Sequence, residues 1–492
     1  MHADGCMIPQ WETPMRESRL ELRSKTFPAT GSVRNAASAR KNFLRNRMES
    51  KRSAIIILGA SGDLARRKLI PALLALCKNG QLDQTVVIIG CGRSAVTDEE
   101  FRTLFDVPDR FASRLFYHRG IAGLKKFLAQ KGDFSRTIVF FALPTHAYSD
   151  TAKELAREGF GNETSIIVEK PFGADYESAV ALNRQLSDYF SESNIYRNDH
   201  YLAKEAVQNI LVFRFANPLF FPVWNNQFIE SIQISASEKT GVEDRGAYFD
   251  KAGILRDMVQ NHLMQLVCLL TMEAPLSLAP DDIVQKKMEI LRAITIDKCH
   301  RYQYDGYRRE KGVGDRSTTE TCAEAEFHIN TFRWAGVPVF IRCGKALDRD
   351  GTEIGVRFRP LPGVLFGEQG RVSPNTIIFM IQPKAGIILS MAGKEIGNEI
   401  NLTNTNLRFC YNERLSGDQA REIPEAYQRL LLDAVRGDHT LFVTARETEL
   451  SWKVMEGILD KGEVELYPRG KPPAMKLGVE WIDFKSYCET CF

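Results

Sequence analysis

The feature that most limits the fold lies at residues 54–76. Ala54–Leu58 is a run of one Ala, three Ile and one Leu, followed by Gly59-Ala60-Ser61-Gly62 and the helix-like stretch Arg66–Leu76. A strand, a glycine turn and a helix in that order form the context a dinucleotide-binding unit requires. Gly59 permits the tight turn, and Gly62 lets the backbone approach a pyrophosphate at the helix N-terminus. The spacing is G-x-x-G, shorter than the full fingerprint, so a plain strand–helix turn remains open at this point.

The segments that follow extend the pattern. Val86–Gly90, Thr137–Leu143 and Ser165–Val168 read as further buried parallel strands separated by helix-like stretches. Residues 53–193 are therefore expected to form a Rossmann-like doubly wound α/β domain. After the second strand come Arg93 and Ser94, where an NAD enzyme would carry an acidic residue. A guanidinium there suits the 2′-phosphate of NADP. The fourth strand runs into Glu169-Lys170-Pro171, which should point Lys170 into the crevice at the strand ends.

Residues 194–492 alternate differently. Glu230–Ser235, Thr376–Ile381 and Gly386–Ser390 predict a larger α+β domain, with a mainly antiparallel sheet and helices on one face. Asp199 is expected to cap a helix, which would put His200 and Lys204 on one face beside Tyr201. Three donors at a helix N-terminus would make a phosphate site. His262 falls on an apolar helical face with Leu255, Met258, Val259 and Leu266. A buried imidazole needs a partner, and a carboxylate partner would make it a general base.

Composition excludes several classes. Apolar residues make up 44% and charged residues 26%, as in a globular protein and unlike a disordered chain. The longest apolar run, Leu263–Met272, falls short of the ~18 residues of a membrane helix. The net charge of +3 is not spread over the chain. Residues 1–52 hold 11 Lys/Arg against 5 Asp/Glu, which leaves the remainder at −3 and gives no reason to expect nucleic acid. That basic stretch is expected to be a disordered extension, a targeting segment or an over-extended start. Ten scattered cysteines without a secretory signal read as reduced thiols, and the terminal Cys488–Cys491 pair is weak evidence for a metal.

Six ordered motifs resemble glucose-6-phosphate dehydrogenases: Gly59–Ala65, Glu169–Gly173, Asp199–Glu205, Phe213–Asn217, Arg256–Leu263 and Arg342–Leu347. The resemblance runs from about Ser53 to about Pro473. It implies NADP-dependent oxidation of glucose 6-phosphate to the 6-phosphogluconolactone, in the oxidative pentose phosphate pathway. It makes His262 the general base and Asp199 its orienting partner. NADP would fall to Gly59, Ser61, Gly62, Asp63, Leu64, Lys68, Arg93, Ser94 and Lys170. The sugar phosphate would fall to Lys170, His200, Tyr201, Lys204, Glu238, Asp257 and Lys345. Asp257, five residues before His262, would sit ~140° round an ideal helix, at its start rather than on the same face. The resemblance further implies a cytoplasmic homodimer or homotetramer joined through the second sheet, with no metal.

Some positions depart from the pattern. Asn198 stands where the family usually has Ile, Ala203 where it has Gly, and Asp350 where relatives carry a basic residue. Two rival readings follow: another Rossmann-type sugar or inositol dehydrogenase, and an NADP-binding homologue without turnover.

Overall fold

The computed structural model describes residues 52–362, 365–366, 373–411, 424–459 and 463–489. The basic stretch before residue 52 and Cys491 lie outside the described residues, as does the side chain of Cys488.

Seven strands form the first sheet. Six of them are β1 (Ser53–Leu58), β2 (Val87–Gly92), β3 (Leu115–Arg119), β4 (Arg136–Phe141), β5 (Thr164–Glu169) and β6 (Ile195–Asn198). They lie parallel in the order β6-β5-β4-β1-β2-β3, the doubly wound arrangement with its crossover at β1 and β4. Strand alternation decides which side chain meets which layer. Ile55, Ile57, Ile138 and Phe140 pack with Leu69 and Leu73 of the first helices. Ala54, Ile56, Val139 and Phe141 pack on the other face with Tyr148, Ala152 and Leu155. Both faces are covered, so these strands read as continuous apolar runs. The sheet continues past residue 193 through β6.

Nine strands form the second sheet: β7 (Ile229–Ser237), β8 (Ile294–Tyr304), β9 (Cys322–Ile329), β10 (Val339–Gly344), β11 (Gly351–Phe358), β12 (Thr376–Gln382), β13 (Gly386–Lys394), β14 (Leu402–Cys410) and, beyond the two-residue β15 (Phe442–Val443), β16 (Val464–Tyr467). Their order is β14-β13-β12-β11-β7-β10-β9-β8-β16, antiparallel except for β7–β10 and β8–β16. β15 instead pairs antiparallel with β6 and ties the C-terminal part of the chain into the first sheet. Helices pack on one face of the second sheet, through Ile354, Ile377 and Phe379. The opposite face at β12 and β13 is met by Ile482 and Phe484 of the C-terminal segment.

No helix of the described residues is long and apolar enough to cross a membrane. Cys77, Cys91, Cys268, Cys299, Cys322 and Cys343 are free thiols. Burial pushes the thiols of Cys91, Cys268 and Cys299 up to about 12, which keeps them protonated and unreactive.

Candidate active site

The nucleotide end is built by the β1 turn. Gly59 has φ +82, and a Cβ there would lie 2.3 Å from the Ala142 carbonyl oxygen, so the turn admits only glycine. Gly59 N–H donates to the Cys91 carbonyl at 2.8 Å, tying the turn to β2. Ser61, Gly62 and Asp63 are exposed where the helix begins, and Leu64 is partly buried behind them. This exposed glycine turn at a helix start, with Arg93 and Ser94 exposed at the end of β2, fits a dinucleotide phosphate group. Asp63 is engaged by Arg67 at 2.7 Å, and Lys68 by Glu425 at 3.0 Å. Arg119 ends β3 beside Gly92 and is exposed there too, a second cation that the motif pattern gave no reason to single out.

The turn after β5 is fastened from three sides. Trp452 Nε1 donates to the Phe172 carbonyl at 2.8 Å, and Arg256 Nε to that of Ala174 at 2.9 Å. Lys170 Nζ donates to the Asp257 carbonyl at 2.6 Å and reaches its carboxylate at 3.3 Å. Gly173 has φ +86, and a Cβ there would collide with the backbone of Ala179. Lys170 is thereby held as a fixed ammonium rather than a mobile surface lysine.

The central pair joins β6 to a helix. His262 Nδ1 lies 2.5 Å from Asp199 Oδ1, with both side chains buried. Burial and Lys170 hold the imidazole below its ordinary value, against the pull of Asp199. Burial opposes the Asp199 charge, yet His262 and His200 outweigh it and hold that carboxyl at about 2. The pair is therefore carboxylate and neutral imidazole at neutral pH. His262 Nε2 is buried without a hydrogen-bond partner among the described residues.

In the helix carrying His262, Asp257 does lie in the first turn, as expected, but its separation from His262 is corrected. Leu255–Leu263 is a π-helix, with hydrogen bonds running from i to i+5. Residues five apart come round close to one full turn, so Asp257 and His262 lie near one another instead of ~140° apart. Asp257 is indeed among the charges acting on His262. A periodicity of 3.6 cannot foresee this widening.

A second correction concerns the phosphate group of residues. Asp199 caps no helix: residues 200–203 form a turn, and the helix Glu205–Ala216 begins with Lys204 as its N-cap. The Asp199 carboxylate accepts instead from Tyr201 N–H at 3.0 Å, a local turn that competes with helix formation. The three side chains still converge. The His200 and Tyr201 rings lie 4.5 Å and 4.3 Å from that of His262. Lys204 Nζ donates to Gln382 Oε1 at 2.7 Å, and the Tyr201 hydroxyl lies 3.1 Å from Thr352 Oγ1. Burial, helped by His262, Lys170 and Lys204, pushes the His200 imidazole well down, and burial with Lys68 lowers Lys204. Ala203 is buried in the core, so its methyl faces packing rather than the phosphate side.

Lys345 donates to Glu238, and Lys345 and Lys170 both act on Asp257. Burial opposes the Asp257 charge, but those two lysines and Arg245 hold its carboxyl at about 2. Lys170, Asp257, Lys345 and Glu238 thus form a run of alternating charges suited to sugar hydroxyls. Asp350 accepts from the Lys239 N–H and Arg349 pairs with Glu353, so both are engaged within the fold. Gln382 and Thr352, direct partners across β11 and β12, were missed by sequence reasoning. The Gln382-Pro383 dipeptide at a strand end, like Lys170-Pro171, was the available signal. Among the described residues no cluster of three His, Cys, Asp or Glu is placed to hold a metal ion.

Fold and site together define a two-domain nucleotide-dependent dehydrogenase with a buried histidine oriented by a carboxylate. Two family models cover nearly all of the described chain: the glucose-6-phosphate dehydrogenase NAD binding domain over residues 56–209 and its C-terminal domain over 211–477. The cytoplasmic glucose-6-phosphate 1-dehydrogenase 6 of Arabidopsis thaliana is 38% identical over 457 residues, covering 84% of this chain and 87% of the relative. The Bacillus subtilis glucose-6-phosphate 1-dehydrogenase is 37% identical over 451 residues, covering 83% and 91%. A solved glucose-6-phosphate dehydrogenase in complex with its substrate glucose-6-phosphate superposes with a TM-score of 0.80 at 34% identity, covering 86% of this chain and 96% of that one. The chain belongs to the glucose-6-phosphate dehydrogenase family. The activity that goes with this membership is the NADP-dependent oxidation of glucose 6-phosphate.

Proposed function

We propose that His262 is the general base that removes the proton from the C1 hydroxyl of glucose 6-phosphate, yielding 6-phospho-D-glucono-1,5-lactone. The observation that carries this role is the buried, unpartnered Nε2 of a ring whose Nδ1 is fixed on Asp199. With Nδ1–H donated to the carboxylate, the lone pair sits on Nε2 and is free to accept a proton. Asp199 holds the tautomer and stabilises the imidazolium that forms. NADP, when bound, accepts the hydride that leaves C1.

Gly59, Ser61, Gly62, Asp63 and Leu64 would hold the pyrophosphate, with Lys68 beside the same turn. Arg93 and Ser94 would hold the adenosine 2′-phosphate, assisted by Arg119. His200, Tyr201 and Lys204 would bind the sugar phosphate. Glu238, Asp257 and Lys345 would bind the sugar hydroxyls, and Lys170 would lie between sugar and cofactor. The reading also includes a cytoplasmic homodimer or homotetramer joined at the outer strands of the nine-stranded sheet. Met391 on β13 and Leu407 on β14 expose apolar side chains there. Sedimentation of the full chain as a monomer would remove that part.

The test of the activity is the absorbance of reduced cofactor with glucose 6-phosphate or glucose, and NADP or NAD. Turnover is expected with glucose 6-phosphate and NADP. No turnover of glucose 6-phosphate with either cofactor would overturn the reading. Equal turnover of free glucose would favour the rival sugar dehydrogenase.

A further inference from the structure

Glu169 and Asn198 end β5 and β6 and face each other across that parallel pair. The next residue along each chain belongs to the site: Lys170 after Glu169, and Asp199 after Asn198. Asn198 Nδ2 donates to Glu169 Oε1 at 2.5 Å. The hydroxyl of Tyr427, on the helix Ala426–Arg436, donates to the same oxygen at 3.1 Å. The Glu169 main chain is bound on both sides to the Tyr148 hydroxyl, at 3.0 and 3.1 Å. Glu169 as a whole is partly buried, but its carboxyl is turned inward beneath these groups.

Asn198 is 1% exposed. A buried amide costs free energy unless it is hydrogen-bonded, so Asn198 depends on the partner its amide nitrogen finds here. Its Oδ1 and the Oδ2 of Asp199 are both buried without a partner among the described residues. Both residues line one cavity of about 20 Å³, together with Lys170, Gln260, Gln265 and Glu447. That volume suits one water, and one water can donate a proton to each of two acceptors.

We propose that Asn198 is a positioning residue for the Asp199–His262 pair: anchored by its amide nitrogen on the oxygen shared by Glu169 and Tyr427, it steadies across this cavity the Asp199 oxygen that His262 does not use. The inference rests on the reading of His262 as the base. Asn198 is not among the residues assigned above to substrate or cofactor. The groups facing Glu169 are Lys170 in its own turn, Asn198 and Asp199 on and after β6, and Tyr148 and Tyr427 on the flanking helices. The clamp joins three parts of the chain that are far apart in sequence, the last of them 258 residues from Glu169.

The experiment compares wild type, Asn198→Ile, Tyr427→Phe and the double variant for kcat, both KM values and thermal midpoint. Asn198→Ile should lower kcat about tenfold with both KM values nearly unchanged, because it loosens the base without removing a binding group. Tyr427→Phe should lower kcat in the same direction. The double variant should be no slower than Asn198→Ile, because both act through one oxygen. An unchanged kcat in folded Asn198→Ile, or effects that multiply in the double variant, overturns the proposal. So does a lowered thermal midpoint with kcat retained, which would assign a purely structural role. If Asn198→Ile does not fold, Tyr427→Phe decides, since it removes a single oxygen, and an unchanged kcat there overturns the proposal. A wild type that does not turn over glucose 6-phosphate overturns the activity reading itself. A wild type that turns over, with unaffected variants, overturns only this inference.

Discussion

His262 Nδ1 lies 2.5 Å from Asp199 Oδ1 across 63 residues of chain, while Nε2 of the same ring is buried without a partner among the described residues. An imidazole so placed has one nitrogen spent on orientation and one left for chemistry. His262→Asn should lower kcat about a thousandfold, within the range ascribed to general base catalysis, and leave KM nearly unchanged. Steady-state kinetics checks this. A large KM change with kcat retained would remove His262 from the role.

The pH dependence follows from the same pair. Burial and Lys170 hold the His262 imidazole below its ordinary value, more than Asp199 restores. The base is active when neutral, so kcat/KM should stay level at neutral pH. It should fall only as pH drops through a value below the ordinary histidine pKa of about 6.5. An acid limb centred above that would contradict the arrangement.

The two domains were legible because their signals are local, whereas the Asp199–His262 pair, 63 residues apart, followed only from the family resemblance. Continuous apolar runs marked β1, β2, β4 and β5, and the glycines marked the turn between β1 and its helix. Alternation marked β7, β12 and β13. Two local expectations failed because backbone competition overrode propensity. Asp199 bonded Tyr201 N–H instead of opening a helix, and Leu255–Leu263 widened to a π-helix. Contacts set by tertiary packing had no local signal. Gln382 lies 178 residues from Lys204, and Tyr427 lies 258 from Glu169. β6 and β15 are too short, at four and two residues, to show a period.

Lys204 donates to Gln382 and sits beside Tyr201, with nothing that changes between substrate and transition state. Its contribution should therefore be uniform binding. Lys204→Ala should raise KM for glucose 6-phosphate by about thirtyfold, the equivalent of about 2 kcal/mol for a charge-assisted hydrogen bond, with a much smaller change in kcat. An unchanged KM would move the phosphate elsewhere.

Arg93 is exposed at the end of β2, beside the turn that would hold the pyrophosphate. Arg93→Ala should lower the preference for NADP over NAD about tenfold, mostly through KM for NADP. Added salt should weaken NADP binding to the wild type more than to the variant. Equal discrimination before and after the change would exclude Arg93 from the site.

Glu169 allows a test of stability that is independent of turnover. Burial pushes its carboxyl up to about 7, against the hydrogen bonds of Asn198 and Tyr427 and the charge of Lys170, with Asp199 adding to the rise. The folded value exceeds the unfolded one, so the stability linked to this group is full below the unfolded value. It is lost as pH rises through about 7. Glu169→Gln keeps an oxygen for both donors and removes the charge. It should stabilise the chain at pH 8 by up to about 3 kcal/mol, at 1.36 kcal/mol per pKa unit. The gain should shrink as pH falls toward the ordinary carboxylate range. Thermal denaturation at pH 5 and pH 8 reads the difference. A variant less stable than wild type at pH 8, or a gain that does not change with pH, would show that Glu169 is not the strained carboxyl its surroundings make it.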